Sequence, residues 1–227
     1  MSVQNEQTVL VYRNGGSASY IKDGLNDPEI EKWERLFKYI DRLLKGDKSK
    51  VIVEFCGGRG EIASMLQKAG YTVITSDVDD EFLEHQKESG VNNVKKFNIL
   101  KDNFTETFDV TPDLILCWRN PHLDKDDVRK VFKVAHDALA NDGLFVINLQ
   151  NLDVHRDEAE VLPNGTHCNF KVLEDRPEMP ARFFAYYTYD DIIDDFINGL
   201  FTIEEYHTEG GSEKKNWHVG AYVKVKK

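Results

Sequence analysis

The sequence predicts an α/β fold, a mostly parallel sheet with helices on both faces and an antiparallel hairpin at the carboxyl end. Three observations carry this. From residue 51 to about 150, short apolar runs alternate with amphipathic stretches of helical length, and strands that alternate with helices cross over and pair in parallel. The run DLILCW is apolar along its length, as a strand covered on both faces should be. Near the end, LFTIEEYHT and WHVGAYVKVK alternate on either side of the glycine-rich GGSEKKN, the pattern of a hairpin.

In chain order, residues 1–50 form an N-terminal segment, polar and turn-rich to about Asn26 and then helical. In DPEIEKWERLFKYIDRLL the helical stripe is Ile30, Trp33, Phe37, Ile40 and Leu44, with Asp27 placed as N-cap and Pro28 at the first helical position. Residues 51–150 are the core. VIVEF is a strand and EIASMLQKAG a helix closed by Gly70; YTVITSD is a second strand and DDEFLEHQKESG a helix ending at Gly90. NVKKFNI is a weak third strand and DLILCW a fourth. DKDDVRKVFKVAHDALANDG is a helix with Val128, Phe132, Ala135 and Leu139 on one face, and LFVINL is a fifth strand. Residues 151–187 read as an insertion with turns at Pro163-Asn164-Gly165 and Pro177/Pro180, flanking strands near 168–173 and 182–188. Within 188–227, Thr188 and Asp191 open a short helix, DDIIDDFING, before the hairpin.

Composition narrows the function classes. The 227 residues suffice for a single domain. A net charge of −11 and scattered lysine pairs argue against a nucleic-acid surface. Cys56, Cys117 and Cys168 are far apart and contain no CxxC pair, so neither a disulfide framework nor a zinc site is expected, and the compartment is read as the reducing cytoplasm. No secretory signal and no apolar stretch of membrane-spanning length is visible. The run His155 to Glu160 carries metal-capable side chains but reads as a solvated, charge-rich loop, and no metal is expected.

The chemistry concentrates in VIVEFCGGRGEIA. Gly57, Gly58 and Gly60 permit a tight turn and a close backbone approach. Gly58 to Ala63, with Asp77 nineteen positions beyond Gly58, can be fitted to a dinucleotide fingerprint, which leaves a nicotinamide-dependent oxidoreductase as one alternative. Glu54 argues otherwise: a carboxylate in the preceding strand repels a diphosphate and welcomes a cofactor that carries positive charge. Glu54 pairing with Arg59 is the structural alternative, since a buried carboxylate needs a partner. Asp79 and Asp80 read as helix N-cap residues.

With those residues in view, the stretch resembles motif I of the class I S-adenosylmethionine-dependent methyltransferases, over roughly residues 51–150 and the final hairpin. The resemblance implies a single Rossmann-like domain over 1–227 with a seven-stranded sheet and an in-line methyl transfer that leaves S-adenosylhomocysteine, with a non-catalytic cofactor-binding module as a further alternative. The acidic balance and the 151–187 insertion point to a small-molecule acceptor rather than nucleic acid, and a protein acceptor stays open. The resemblance also implies that Glu54 organises the methionyl end while Gly57, Gly58 and Gly60 admit the cofactor. Asp77 would bind the ribose hydroxyls, Val78 line the adenine, Asn98 and Ile99 meet the adenine edge, and the carbonyl of Cys117 meet the amino group. Cys56 stands where the first glycine is usual, Arg59 where a small residue is usual, and Asn98 where aspartate is more frequent.

Trp118, Arg119, Asn120 and His122 follow the fourth strand and are the candidate substrate-binding residues, in partial resemblance to the NPPY-type motif of amino-methylating enzymes; His122 and Leu123 depart from it. His122 is also the candidate general base. Tyr12, Arg13 and Tyr20 are candidates to cap the cofactor. The run Phe183 to Tyr187 either faces a substrate or alternates along a strand.

Overall fold

The computed structural model describes residues 27–118, 122–171, 181–208 and 220–227. The readings made for Tyr12, Arg13, Tyr20, Arg119, Asn120, Pro121 and the hairpin loop therefore lie outside the described residues.

Helix α1 (Asp27–Leu43) is followed by β1 (Val51–Phe55), α2 (Glu61–Lys68), β2 (Thr72–Asp77), α3 (Asp80–Glu88) and β3 (Val94–Lys96). Then come α4 (Phe104–Phe108), β4 (Leu114–Cys117), α5 (Lys125–Ala138) and β5 (Leu144–Asn151). The strands β3-β2-β1-β4-β5 lie side by side and pair in parallel. Alternation along each strand splits the core into two layers. Val53, Phe55, Ile115, Cys117, Phe145 and Ile147 face α5, which buries Val128, Phe132, Ala135 and Leu139 against them. Ile52, Val73, Leu114, Leu116 and Val146 face α1 and α2. On α1 the buried stripe is Trp33, Leu36, Ile40 and Leu44; Ile30, expected in it, is exposed, and Phe37 only borders the cluster.

Among the described residues the sheet has ten strands rather than the expected seven. The difference arises in the insertion. After a one-turn helix α6 (Leu152–His155), β6 (Glu160–Val161), β7 (His167–Lys171) and β8 (Arg182–Tyr187) form an antiparallel sheet extension. β4 covers one edge of β5 only as far as Ile147, and β8 continues along that edge in parallel at Gln150–Tyr186 and Asn151–Tyr187. β10 (Gly220–Lys226) pairs antiparallel with the opposite edge from Leu144 to Gln150. β9 (Thr202–Thr208) completes the hairpin with β10. The run Phe183 to Tyr187 follows the alternation reading: Phe183, Ala185 and Tyr187 enter the main core, while Phe184 and Tyr186 join Leu152 on the opposite face.

The helix expected after Thr188 is present with its reciprocal cap, Thr188 N–H to Asp191 Oδ2 at 2.8 Å and Asp191 N–H to Thr188 Oγ1 at 3.1 Å. It continues as a π-helix over Asp191–Ile197. The wider π turn brings residues four and five apart onto one side, so Ile192, Phe196 and Ile197 all reach the core. Lys125, nearly buried on α5, locks this element by ion pairs to Asp191 at 2.5 Å and Asp195 at 3.3 Å. The Lys125 N–H also donates to Thr166 Oγ1 of the insertion. No helix among the described residues is long and apolar enough to cross a membrane.

Candidate active site

The carboxyl ends of β1, β2 and β4 meet at the glycine loop, residues 56–60. Sheet register sets Glu54 directly beside Thr75, and both point to the α1/α2 face. The Thr75 hydroxyl donates to Glu54 Oε2 at 2.8 Å. Glu54 is almost fully buried, and burial is the main reason its pKa is pushed up to about 8. The Thr75 bond pulls the other way, and the charges of Glu61 and Asp77 add to the rise. The partner proposed for Glu54 in a purely structural role, Arg59, pairs instead with Glu61 at 2.7 Å.

Gly57 passes directly over the Glu54–Thr75 pair. A Cβ there would lie 2.1 Å from Thr75 Oγ1 and 2.9 Å from Glu54 Oε2, so only glycine fits. Gly58 adopts φ +54° and a Cβ on it would meet nothing within 4 Å, which leaves its face of the loop open. Gly60, at φ +78°, opens α2, and there a Cβ would strike Gln86 Cγ at 2.8 Å. Gln86 is buried on α3 and braces the loop by donating to the Gly58 carbonyl at 2.6 Å.

Asp77 closes β2. Its Oδ2 accepts the Gly58 N–H at 3.0 Å, and its Oδ1 accepts the N–H groups of Val78 at 2.8 Å and Asp79 at 3.1 Å. Burial pushes its pKa up to about 6; the three N–H bonds oppose this and Asp79 reinforces it. Asp79 caps α3, accepting from Glu81 and Phe82 N–H groups, whereas Asp80 pairs with Lys96. Two buried carboxyl groups thus sit at adjacent strand ends, destabilised as anions by burial and by other acids. This donor set fits a cationic ligand and opposes a diphosphate.

The other expected residues fall around this pair. Val78 follows Asp77 at the strand end. Asn98 ends the segment after β3, where its Oδ1 accepts the Leu100 N–H at 3.1 Å and its own N–H donates to Asp102; the remaining lone pair of Oδ1 stays usable. Ile99 is buried behind it and Cys117 is fully buried at the end of β4. Trp118 packs into the α1/α2 layer.

His122 lies beyond the end of β4, its ring 5.3 Å from Phe184 and its Nδ1 2.5 Å from the Phe183 carbonyl. A carbonyl only accepts, so the proton resides on Nδ1 and the lone pair on Nε2. Burial lowers its pKa to about 4, helped by the Arg182 charge and resisted by the Phe183 bond. The metal-capable run is differently engaged: His155 stacks on Tyr186 at 4.5 Å and Arg156 pairs with Asp153.

Sequence reasoning missed Thr75 and Gln86. Thr75 carried a signal, since it shares a strand face with Asp77 two positions on, where a polar residue amid apolar neighbours marks an opposing polar group. Gln86 carried none, because its contact spans 28 residues and depends on how α3 packs.

A methyltransferase-domain family model matches residues 29–175, well over half the chain. The chain belongs to this methyltransferase family. No curated protein matches the sequence significantly. Among solved structures, it resembles magnesium protoporphyrin IX methyltransferase from Synechocystis with bound S-adenosylhomocysteine, at TM-score 0.64 and 9% identity, covering 96% of this chain and 98% of that one. It also resembles an S-adenosylmethionine-dependent methyltransferase from Clostridium acetobutylicum, at 0.57 and 14%, covering 86% and 98%. A glycopeptide N-methyltransferase complexed with S-adenosylhomocysteine matches at 0.61 and 10%, covering 84% and 88%. These likenesses establish the fold of the methyltransferase domain, and nothing in them favours the oxidoreductase alternative.

Proposed function

We propose that this methyltransferase domain binds S-adenosylmethionine at the 54–60 and 77 strand ends and transfers its methyl group to a small-molecule acceptor. The observation that carries the reading is the buried Glu54, an acid that accepts from the neutral Thr75 hydroxyl and whose ionisation a cation would favour. S-adenosylmethionine supplies an activated methyl on a sulfonium, so alignment of the acceptor can provide most of the acceleration. The residues of the chain bind and orient. Glu54 faces the cationic methionyl end; Gly57, Gly58 and Gly60 let the loop backbone approach; Asp77 receives the ribose hydroxyls. Val78, Asn98 and Ile99 frame the adenine, and the Cys117 carbonyl meets the amino group.

The candidate substrate-binding residues are Trp118, Arg119, Asn120 and His122. His122, held by the Phe183 carbonyl, is proposed to receive the acceptor's proton. A small acceptor agrees with the acidic net charge of −11, and free cysteines agree with a cytoplasmic setting. Thermal-shift measurements with S-adenosylhomocysteine and NADH test the cofactor, followed by donor consumption over a panel of small hydroxyl and amine compounds. Stabilisation by S-adenosylhomocysteine and turnover with one panel member are expected. Stabilisation by NADH alone would overturn the reading.

A further inference from the structure

Cys56 and Cys117 stand in an arrangement that cofactor binding does not require. Alternation along β1 would send the Cys56 side chain to the same face as Glu54. Instead Cys56 adopts φ +56°, the left-handed region that costs a non-glycine residue about 1–2 kcal/mol. The turn swings its side chain to the opposite face, where it packs against the main core. Cys117 lies on that same face, in register with Phe55, the residue before Cys56. The two thiols are hydrogen-bonded to each other. Cys117 is fully buried, whereas Cys56 is only half-buried. Two thiols on one face of adjacent strands therefore meet at the base of the glycine loop.

We propose that Cys56 and Cys117 form a reversible disulfide that disables cofactor binding, making the glycine loop a redox-controlled element. The proposal rests on the cofactor reading above. With a peroxide as oxidant, the Cys56 thiolate attacks one peroxide oxygen, the O–O bond breaks and a sulfenic acid forms with loss of water. The Cys117 sulfur then displaces a second water and closes the S–S bond; the two thiols are oxidised and one peroxide is reduced to two waters. A disulfide is about 2.05 Å long, much shorter than a thiol–thiol hydrogen bond, so closure pulls residue 56 towards β4. Gly57 and Gly58 are covalently next in line, and Gly58 is bonded to Asp77; the loop geometry that meets the cofactor is lost. The Cys117 contact, reinforced by burial, holds the Cys56 thiol well above its ordinary pKa, so closure accelerates as pH rises.

The test treats the full-length protein with hydrogen peroxide or diamide. Non-reducing peptide mass spectrometry then locates the crosslink, and titration calorimetry with S-adenosylhomocysteine is run before oxidation, after it, and after dithiothreitol. A peptide joining residues 56 and 117, at least a tenfold loss of affinity and recovery on reduction are expected, with Cys56→Ser showing no oxidation-dependent change. The wild-type reduction cycle decides the matter even if that variant folds poorly. Absence of the 56–117 crosslink, or a crosslinked protein that binds as before, would overturn the proposal. Reduced protein that never binds S-adenosylhomocysteine would instead bring down the cofactor reading and the proposal with it, whatever the crosslink shows.

Discussion

Replacing Glu54 by Gln separates stability from ligand recognition, because the two respond with opposite sign. Burial holds the Glu54 pKa at about 8, above the ordinary 4.5. A carboxyl group with a raised folded-state pKa contributes stability that is complete below pH 4.5 and is lost as pH rises through about 8. At pH 7 the burial of this acid costs the ligand-free fold on the order of 3 kcal/mol. Gln keeps an acceptor for Thr75 and cannot ionise, so Glu54→Gln raises the melting temperature of the ligand-free protein. Binding of a cation requires the carboxylate, so a proton leaves as S-adenosylmethionine enters and affinity rises with pH. Between pH 6.5 and 7.5 Glu54 alone gives about an eightfold change in Kd, or ~1.2 kcal/mol, since each pH unit below the pKa is worth about 1.4 kcal/mol. Titration calorimetry in buffers of different ionisation enthalpy reads this as roughly 0.9 proton released per cofactor at pH 7. The variant loses both the proton release and the pH slope. A Glu54→Gln protein that is less stable, with cofactor affinity as tight and as pH-dependent as the parent, would refute the assignment.

Three other substitutions test neighbouring parts of the site. Asp77→Ala removes the strand-end acid and weakens S-adenosylhomocysteine binding by about 1–3 kcal/mol, the scale of lost charged hydrogen bonds; an unchanged Kd in calorimetry would count against the ribose role. Gly57→Ala places a Cβ 2.1 Å from Thr75 Oγ1, so denaturant unfolding should show a loss of about 1–3 kcal/mol from overpacking. The same variant should lose cofactor binding, because Thr75 is displaced from Glu54. His122→Asn lowers kcat while leaving cofactor Kd unchanged. The His122 pKa of about 4 keeps its titration below the Glu54 limb, so the neutral-pH limb of the rate profile stays where it was; a shifted limb would contradict the tie to Phe183.

What the sequence revealed and what it concealed follow the range of the interactions. The 51–150 core was legible because each parallel strand is a short apolar run bounded by turn residues, and its site residues lie at strand ends, where α/β sheets bind ligands. Glu54, the glycines and Asp77 were readable for that reason. The strand count was not, because whether 160–187 joins the sheet depends on how far β5 runs past the end of β4, to Gln150 and Asn151. The π turn at Asp191–Ile197 was hidden as well: its cap is written in Thr188 and Asp191, but its width is set by the core that Ile192, Phe196 and Ile197 must reach. The meeting of Cys56 with Cys117 needed a backbone conformation that alternation alone predicts wrongly.

The shared edge of β5 also divides the labour of the domain. The β1 and β2 ends hold the acids proposed to answer to a cationic cofactor, and their geometry is fixed within the parallel core by Thr75, Gln86 and the loop N–H bonds. The acceptor side is built differently. His122 takes its tautomer from a carbonyl of β8, which pairs with just two residues of β5 and with β7. Lys125 ties the same region to the π-helix through Asp191 and to the insertion through Thr166. Changes in 151–187 should therefore alter which acceptor is methylated while leaving cofactor affinity intact, whereas changes at the glycine loop should do the reverse.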